Sequence, residues 1–248
     1  MSGLQPRMSP ILPSAQLLDT LRRQIAHWEG PRQRSAPAIV SSGYTALDQL
    51  LPHHGFVRGT LAEWLSAIDA GGAAGLALTT AREACRNGGV LVFLDPQREF
   101  YPPAAARAGI ELARLIVLHP HSVADQLWAF DQVLRCGGVA AAMIHLDRLD
   151  DRVFRRLQLA AEEGESLGLL LRPGSAQNAP SWADVRLLVE PLSAADPAAG
   201  RCLRISLLRG RGGGNHESVK VMVNDATHFV PLASRLGEST VRRRAAGA

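Results

Sequence analysis

The sequence predicts an α/β fold: a mostly parallel sheet with helices on both faces and antiparallel edge strands at its C-terminal end. Three observations carry this. Between residues 61 and 171, short apolar runs alternate with amphipathic stretches of helical length, the pattern of parallel strands joined by helical crossovers. After Pro173 three apolar runs follow without helical periodicity between them, so they are expected to extend one edge of the sheet by antiparallel pairing. The 248 residues, 46% hydrophobic and 20% charged, suffice for one large core and are too apolar for a disordered chain.

The elements follow in order. Ser14–Trp28 is predicted to be an amphipathic helix capped by Ser14, with Leu17, Leu18, Leu21, Ile25 and Trp28 on one face. Such a stripe cannot be buried by an isolated helix, so it is expected to mediate association. Gly30–Pro37 is a basic, proline-bounded linker. The strand Leu61–Leu65 precedes the helix Leu76–Arg86, and the strand Val90–Leu94 ends at Asp95. Pro102–Ala108 is a short helix stopped by Gly109, and Leu115–Leu118 a strand. Ser122 caps a helix running to Cys136, with Asp125 in capping-box position. Val139–His145 is a buried strand, Arg152–Glu163 a helix and Leu167–Leu171 a strand. Val185–Val189, Leu203–Leu208 and Val219–Val223 are the edge strands, the last two flanking the glycine-rich loop Arg209–Glu217. The domain reading is residues 1–36 as helix and linker, 37–232 as core, and 233–248 as a basic, disordered tail.

Composition narrows the chemistry. No stretch reaches the ~18 consecutive apolar residues of a membrane span, and Met1–Pro13 has no secretory pattern, so a cytoplasmic protein without membrane contact is expected. Cys85, Cys136 and Cys202 form no CxxC pair, which excludes a disulfide framework and a thiolate zinc site. Of 27 basic residues only Lys220 is lysine. From residue 201 onward nine basic residues face three acidic ones, a net of +6 within a total of +4. That concentration predicts an anionic partner, single-stranded DNA or an acidic protein surface, met by Arg204, Arg209, Arg211, Arg242, Arg243 and Arg244.

The segments Ser41-Ser42-Gly43-Tyr44-Thr45-Ala46-Leu47-Asp48 and Gly55-Phe56-Val57-Arg58-Gly59-Thr60-Leu61-Ala62-Glu63, followed by strands ending at Asp95 and near Asp147, resemble in order and spacing the RecA-like P-loop ATPase core. The resemblance implies a phosphate loop between Ser66 and Gly75. It places Ser66, Asp69, Gly71, Gly72, Gly75, Asp95, Gln97, His145 and Asp147 around a degenerate nucleotide pocket. A P-loop uses lysine on the β/γ-phosphates and a following Ser/Thr on Mg²⁺; here the loop has neither, Asp69 stands where phosphate would sit, and Gln97 matches the family's catalytic glutamate. The implication is a protein with no catalytic residues, no cofactor and no metal, that is, no enzyme.

Phe154-Arg155-Arg156-Leu157-Gln158-Leu159-Ala160-Ala161-Glu162, then Gly168-Leu169-Leu170-Leu171-Arg172-Pro173, resemble runs in the ImuA family of translesion-synthesis accessory proteins. This resemblance implies a bacterial SOS-mutagenesis role. The implied partners are an ImuB-type polymerase-like protein, an error-prone replicative-type polymerase, the RecA recombinase and single-stranded DNA. Two alternatives stand beside it. One is an active ATPase with arginine, Arg58 or Arg82, replacing the loop lysine; the other is a SulA-like inhibitor of cell division. His119 and His121 read as surface or capping groups, Asp147, Asp150 and Asp151 as helix-capping carboxylates, and Trp128 and Phe130 as core.

Overall fold

A computed structural model describes residues 38–192, 200–210 and 217–223. The expected N-terminal helix, Arg211 and Arg242–Arg244 lie outside the described residues. The chain opens with β1 (Ile39–Val40), α1 (Thr45–Leu50) and β2 (Phe56–Val57); β1 and β2 form a small antiparallel pair. The S-S-G-x-x-x-L-D segment has a structural cause: Asp48 accepts from Ser41 Oγ at 2.6 Å and Ser42 N at 2.7 Å, closing the turn before α1, while Leu47 is fully buried.

The main sheet has eight strands. In chain order these are β3 (Leu61–Ser66), β4 (Val90–Leu94), β5 (Leu115–Leu118), β6 (Val139–His145), β7 (Leu167–Pro173), β8 (Val185–Leu192), β9 (Arg201–Gly210) and β10 (Ser218–Val223). Their spatial order is β10-β9-β8-β3-β7-β6-β4-β5. The strands from β8 to β5 run parallel, and β9 and β10 are antiparallel additions. The mixed α/β architecture is therefore the one expected, with one difference. The first strand after Pro173 joins β3 in parallel, because Gly174–Asn178 and the following coil carry the chain back to the start of the sheet.

Helices cover both faces: α2 (Ala73–Cys85) and the short α3 (Pro102–Arg107) on one side, α4 (Val123–Arg135) and α5 (Asp151–Gly164) on the other. The first face buries Trp64, Phe56, Leu76 and Leu78 and the second Phe130, Leu134, Phe154 and Leu157, each large side chain contributing about 2 kcal/mol. Strands β3 and β6, near the middle of the sheet, are buried on both faces, as parallel strands between helical layers must be, and apolar apart from Glu63 in β3. Caps fix the helix starts. Ser122 Oγ accepts from Asp125 N at 3.1 Å, and Asp150 accepts from Arg152 N at 2.8 Å. Phe130 is core, but Trp128 is 64% exposed on the outer side of α4, so the expectation of a core Trp128 is corrected. Among the described residues no helix is long and apolar enough to cross a membrane.

Candidate functional site

The parallel strands end together on one edge, and the loop from β3 to α2 lies there. Leaving β3, Ser66 Oγ donates to Ile68 O at 2.7 Å and Gly71 N donates to the same carbonyl at 3.1 Å, which folds the loop back on itself. Gly72, the N-cap of α2, has φ +94°; a Cβ there would sit 2.7 Å from Leu203 Cδ1, and one on Gly71 2.6 Å from Ser66 Oγ. Both glycines are thus required by the turn and by the contact with β9. The first turn of the 13-residue helix α2 has no side-chain cap, so its amides present partial positive charge at this edge.

A cleft of about 210 Å³ opens beside this loop. It brings together Ser66, Asp69, Gly71, Gly72 and Gly75 from the loop and helix with His145 and Asp147 from the end of β6. Trp64 borders it from below; the indole is fully buried and its Nε1 has no hydrogen-bond partner among the described residues. His145 is exposed at the end of β6, yet the protein packed around its ring desolvates the imidazole enough to push it below its ordinary value, against the upward pull of Asp95 and Asp147.

Asp95 and Gln97 do not line this cleft. Asp95 is buried and its carboxylate accepts from Glu99 N at 3.0 Å and Phe100 N at 2.9 Å, so it shapes the loop after β4. Gln97 is exposed in a separate surface depression with His119 and His121. His119 Nδ1 meets Asp95 O at 2.7 Å, and no group of three or more metal-ligating side chains occurs among the described residues. From the loop after β4, the acid that borders the cleft beside Asp69 and Asp147 is Glu99, two positions beyond Gln97. The tight Asp95 turn, with Arg98 at φ +59°, advances the chain by that amount.

The cationic side of the cleft also differs from expectation. Arg58 and Arg82 lie at the opposite end of α2, where Arg58 donates to Ala84 O at 2.5 Å and Arg82 to Ala108 O at 2.9 Å. Neither reaches the loop. Arg172 and Arg201 line the cleft instead. Arg201 starts β9 on the face that carries Leu203, the residue packed on Gly72. Arg172 is committed below it: its Nη1 donates to Glu63 Oε1 at 2.5 Å, and Glu63 Oε2 also receives Ser181 Oγ at 2.8 Å and meets Arg186 Nε at 2.8 Å. The sequence does not place Glu99, Arg172 or Arg201 at the cleft; Arg172 carries a signal only as the end of the run Gly168–Pro173, and Glu63 as the last residue of the glycine-spaced segment.

Of the C-terminal arginines, Arg204 lies in register with Glu190 and Lys220 and meets the Glu190 carboxylate at 3.9 Å. Arg209 donates to Ser181 O. They sit near opposite ends of β9, and neither borders the cleft.

A parallel sheet whose first core strand feeds a glycine-bearing loop and a helix, with carboxylates from neighbouring strand ends facing that loop, defines a protein of the P-loop nucleotide-binding fold. Residues 27–155, just over half of the chain, match the RecA N-terminal domain. The chain belongs to the RecA family. It is 34% identical over 110 residues to Protein RecA of Desulforapulum autotrophicum, a match covering 44% of this chain and 31% of the relative. With Protein RecA of Chlorobaculum tepidum it shares 31% identity over 127 residues, covering 51% of this chain and 35% of the relative. The chain thus spans about a third of the length of these relatives. The crystal structure of the RadB recombinase superposes with a TM-score of 0.60 at 16% identity, covering 76% of this chain and 97% of that one, and supports the fold. The RecA relatives overturn the expectation that the protein is no enzyme: RecA proteins are ATPases, and the loop after β4 brings a carboxylate, Glu99, to the cleft.

Proposed function

We propose that this RecA-family protein is an accessory factor of ImuA type in SOS-induced translesion DNA synthesis, acting by docking on an ImuB-type polymerase-like partner. The further contacts in this reading are an error-prone replicative-type polymerase, the RecA recombinase and single-stranded DNA. The observation that carries the reading is α5, which holds the run resembling the ImuA family. Its inward residues Phe154, Leu157, Ala160 and Ala161 are fully buried. Its outward residues are not needed by the core: Leu159 is 44% exposed, and Arg155 lies 5.8 Å over the ring of Trp182, itself 46% exposed. A tryptophan and an arginine stacked together on a surface are the composition of an interface anchor.

The test is co-purification of the full chain with an ImuB-type protein. Leu159→Asp and Trp182→Ala, both at exposed positions, should weaken the complex at least tenfold while leaving the protein folded. An ImuB-type partner that fails to bind the wild-type chain overturns the reading.

A second reading, a RecA-type ATPase, is favoured by Glu99 and Arg201 lining the cleft on which the loop opens. In it Glu99 orients or deprotonates the attacking water, and Arg201 and the α2 amides face the phosphates. ATP turnover abolished by Glu99→Gln, with nucleotide binding kept, supports this reading; turnover indifferent to Glu99 removes it.

A further inference from the structure

The end of α2 remote from the cleft carries a second cavity, of about 380 Å³, between the last turn of that helix, the start of β4 and the segment from Gly109 to Arg114. Its lining is unlike that of the cleft. Arg82, Arg86 and Arg114 stand around an apolar base of Leu91, Ile110 and the half-buried Cys85. Arg58, whose guanidinium donates to Ala84 O, lies beside them. Among the described residues, two carboxylates answer these four cations. Glu83 is shared, with Oε1 2.9 Å from Arg82 Nη2 and Oε2 2.8 Å from Arg86 Nε, and Glu111 meets Arg114 at 3.1 Å. The cluster keeps an excess positive charge.

The arginines are also held in place before any ligand arrives. Arg82 is fixed by Ala108 O as well as by Glu83, and its aliphatic stem crosses Gly109, where a Cβ would lie 3.1 Å from Arg82 Cδ at a φ of +84°. Arg114 also reaches Cys85 O at 3.5 Å. Pre-set side chains lose little entropy on binding. Guanidinium forks match phosphate oxygens, and the apolar floor beneath them strengthens the attraction relative to open water. Arg86 and Arg114 remain accessible, with 69% and 46% of their side chains exposed.

We propose that this cavity is a phosphate-binding site, separate from the cleft at the β3–α2 loop, in which Arg82, Arg86 and Arg114 hold a phosphate group of a nucleic acid or nucleotide against the Leu91–Ile110 floor. The assignment does not depend on the role proposed for α5 or on turnover in the cleft.

The test uses the full chain, a fluorescent single-stranded oligonucleotide, and inorganic phosphate as a separate probe. The variant Arg86→Glu/Arg114→Glu changes two exposed positions, and Arg86→Ala serves as a milder one should the reversal fail to fold. If the site takes polynucleotide, the double variant binds the oligonucleotide at least tenfold more weakly and the slope of log K against log salt falls by about 0.7, the loss of one single-strand phosphate contact. Glu111→Gln then binds more tightly than wild type. If the source is a free phosphate, inorganic phosphate raises the melting temperature of the wild type and not of the variant, while oligonucleotide binding is unchanged. Folded variants that retain both the oligonucleotide affinity and the phosphate-induced shift overturn the assignment.

Discussion

Replacing Glu63 by glutamine tests the most concentrated electrostatic feature of the core. The carboxylate is completely buried, and its side-chain partners Arg172 and Arg186 are 2% and 8% exposed. Glu63→Gln keeps the volume, so no cavity opens, but it removes the negative charge that pairs with two buried guanidinium groups. Burial, reinforced by Arg172 and Arg209, already pulls the Arg186 pKa down, and Glu63 is the group that opposes this. Breaking a buried pair from one side costs about 3–5 kcal/mol, a large share of the ~5–15 kcal/mol by which a domain is stable. For a chain of this size that corresponds to a fall in melting temperature of roughly 6–20 °C. Urea unfolding followed by tryptophan fluorescence reads the change directly. Adding Arg186→Met to Glu63→Gln removes one of the stranded charges, so the double variant should recover at least ~1 kcal/mol over the sum of the single effects. A loss below about 1 kcal/mol for Glu63→Gln, or strict additivity in the double variant, refutes the view that this triad is held by charge.

Two further outcomes follow from titrating groups. The folded pKa of His145 lies below its ordinary 6.5 because the protein packed around the ring disfavours the imidazolium, so the unfolded chain takes up the proton first as pH falls; stability should be full above pH 6.5 and decline below it, by a small amount because the residue is exposed, and His145→Gln should flatten this dependence in denaturation curves at pH 5–7. Burial, outweighing Arg58 and Arg114, pushes the Cys85 thiol up to about 11; at mildly alkaline pH iodoacetamide should therefore modify the exposed Cys136 well before Cys85, and equal labelling rates by mass spectrometry contradict the packing around Cys85.

Periodicity made most of the fold legible, because helices and strands bury faces with different spacing. Val90–Leu94, Leu115–Leu118 and Val139–His145 were readable to the residue, each being an apolar run bounded by a turn or a cap. The pairing of β8 was not, since Val185–Leu192 is apolar enough for either direction and only the return path through residues 174–184 makes it parallel. Trp128 was misread for a related reason. A tryptophan inside an amphipathic helix resembles core by composition, but at position 128 it falls a third of a turn or more from the buried stripe of Gln126, Phe130 and Leu134.

The candidate site divides along the same line between local and long-range causes. The glycines of the loop are explained by sterics alone: Gly71 cannot carry a Cβ beside Ser66 Oγ, and Gly72 cannot at φ +94° under Leu203. They are therefore retained by any sequence with this turn and say little about phosphate. The information about chemistry sits in residues that no local motif points to. Glu99 reaches the cleft because the Asp95 carboxylate gathers the amides of residues 99 and 100 and displaces the chain beyond Gln97. Arg201 reaches it because β9 runs antiparallel to β8, which brings the start of β9 to the edge where the parallel strands end. A lysine in the loop would be local and visible; an arginine delivered from a strand more than 120 residues later becomes visible only when the sheet is assembled.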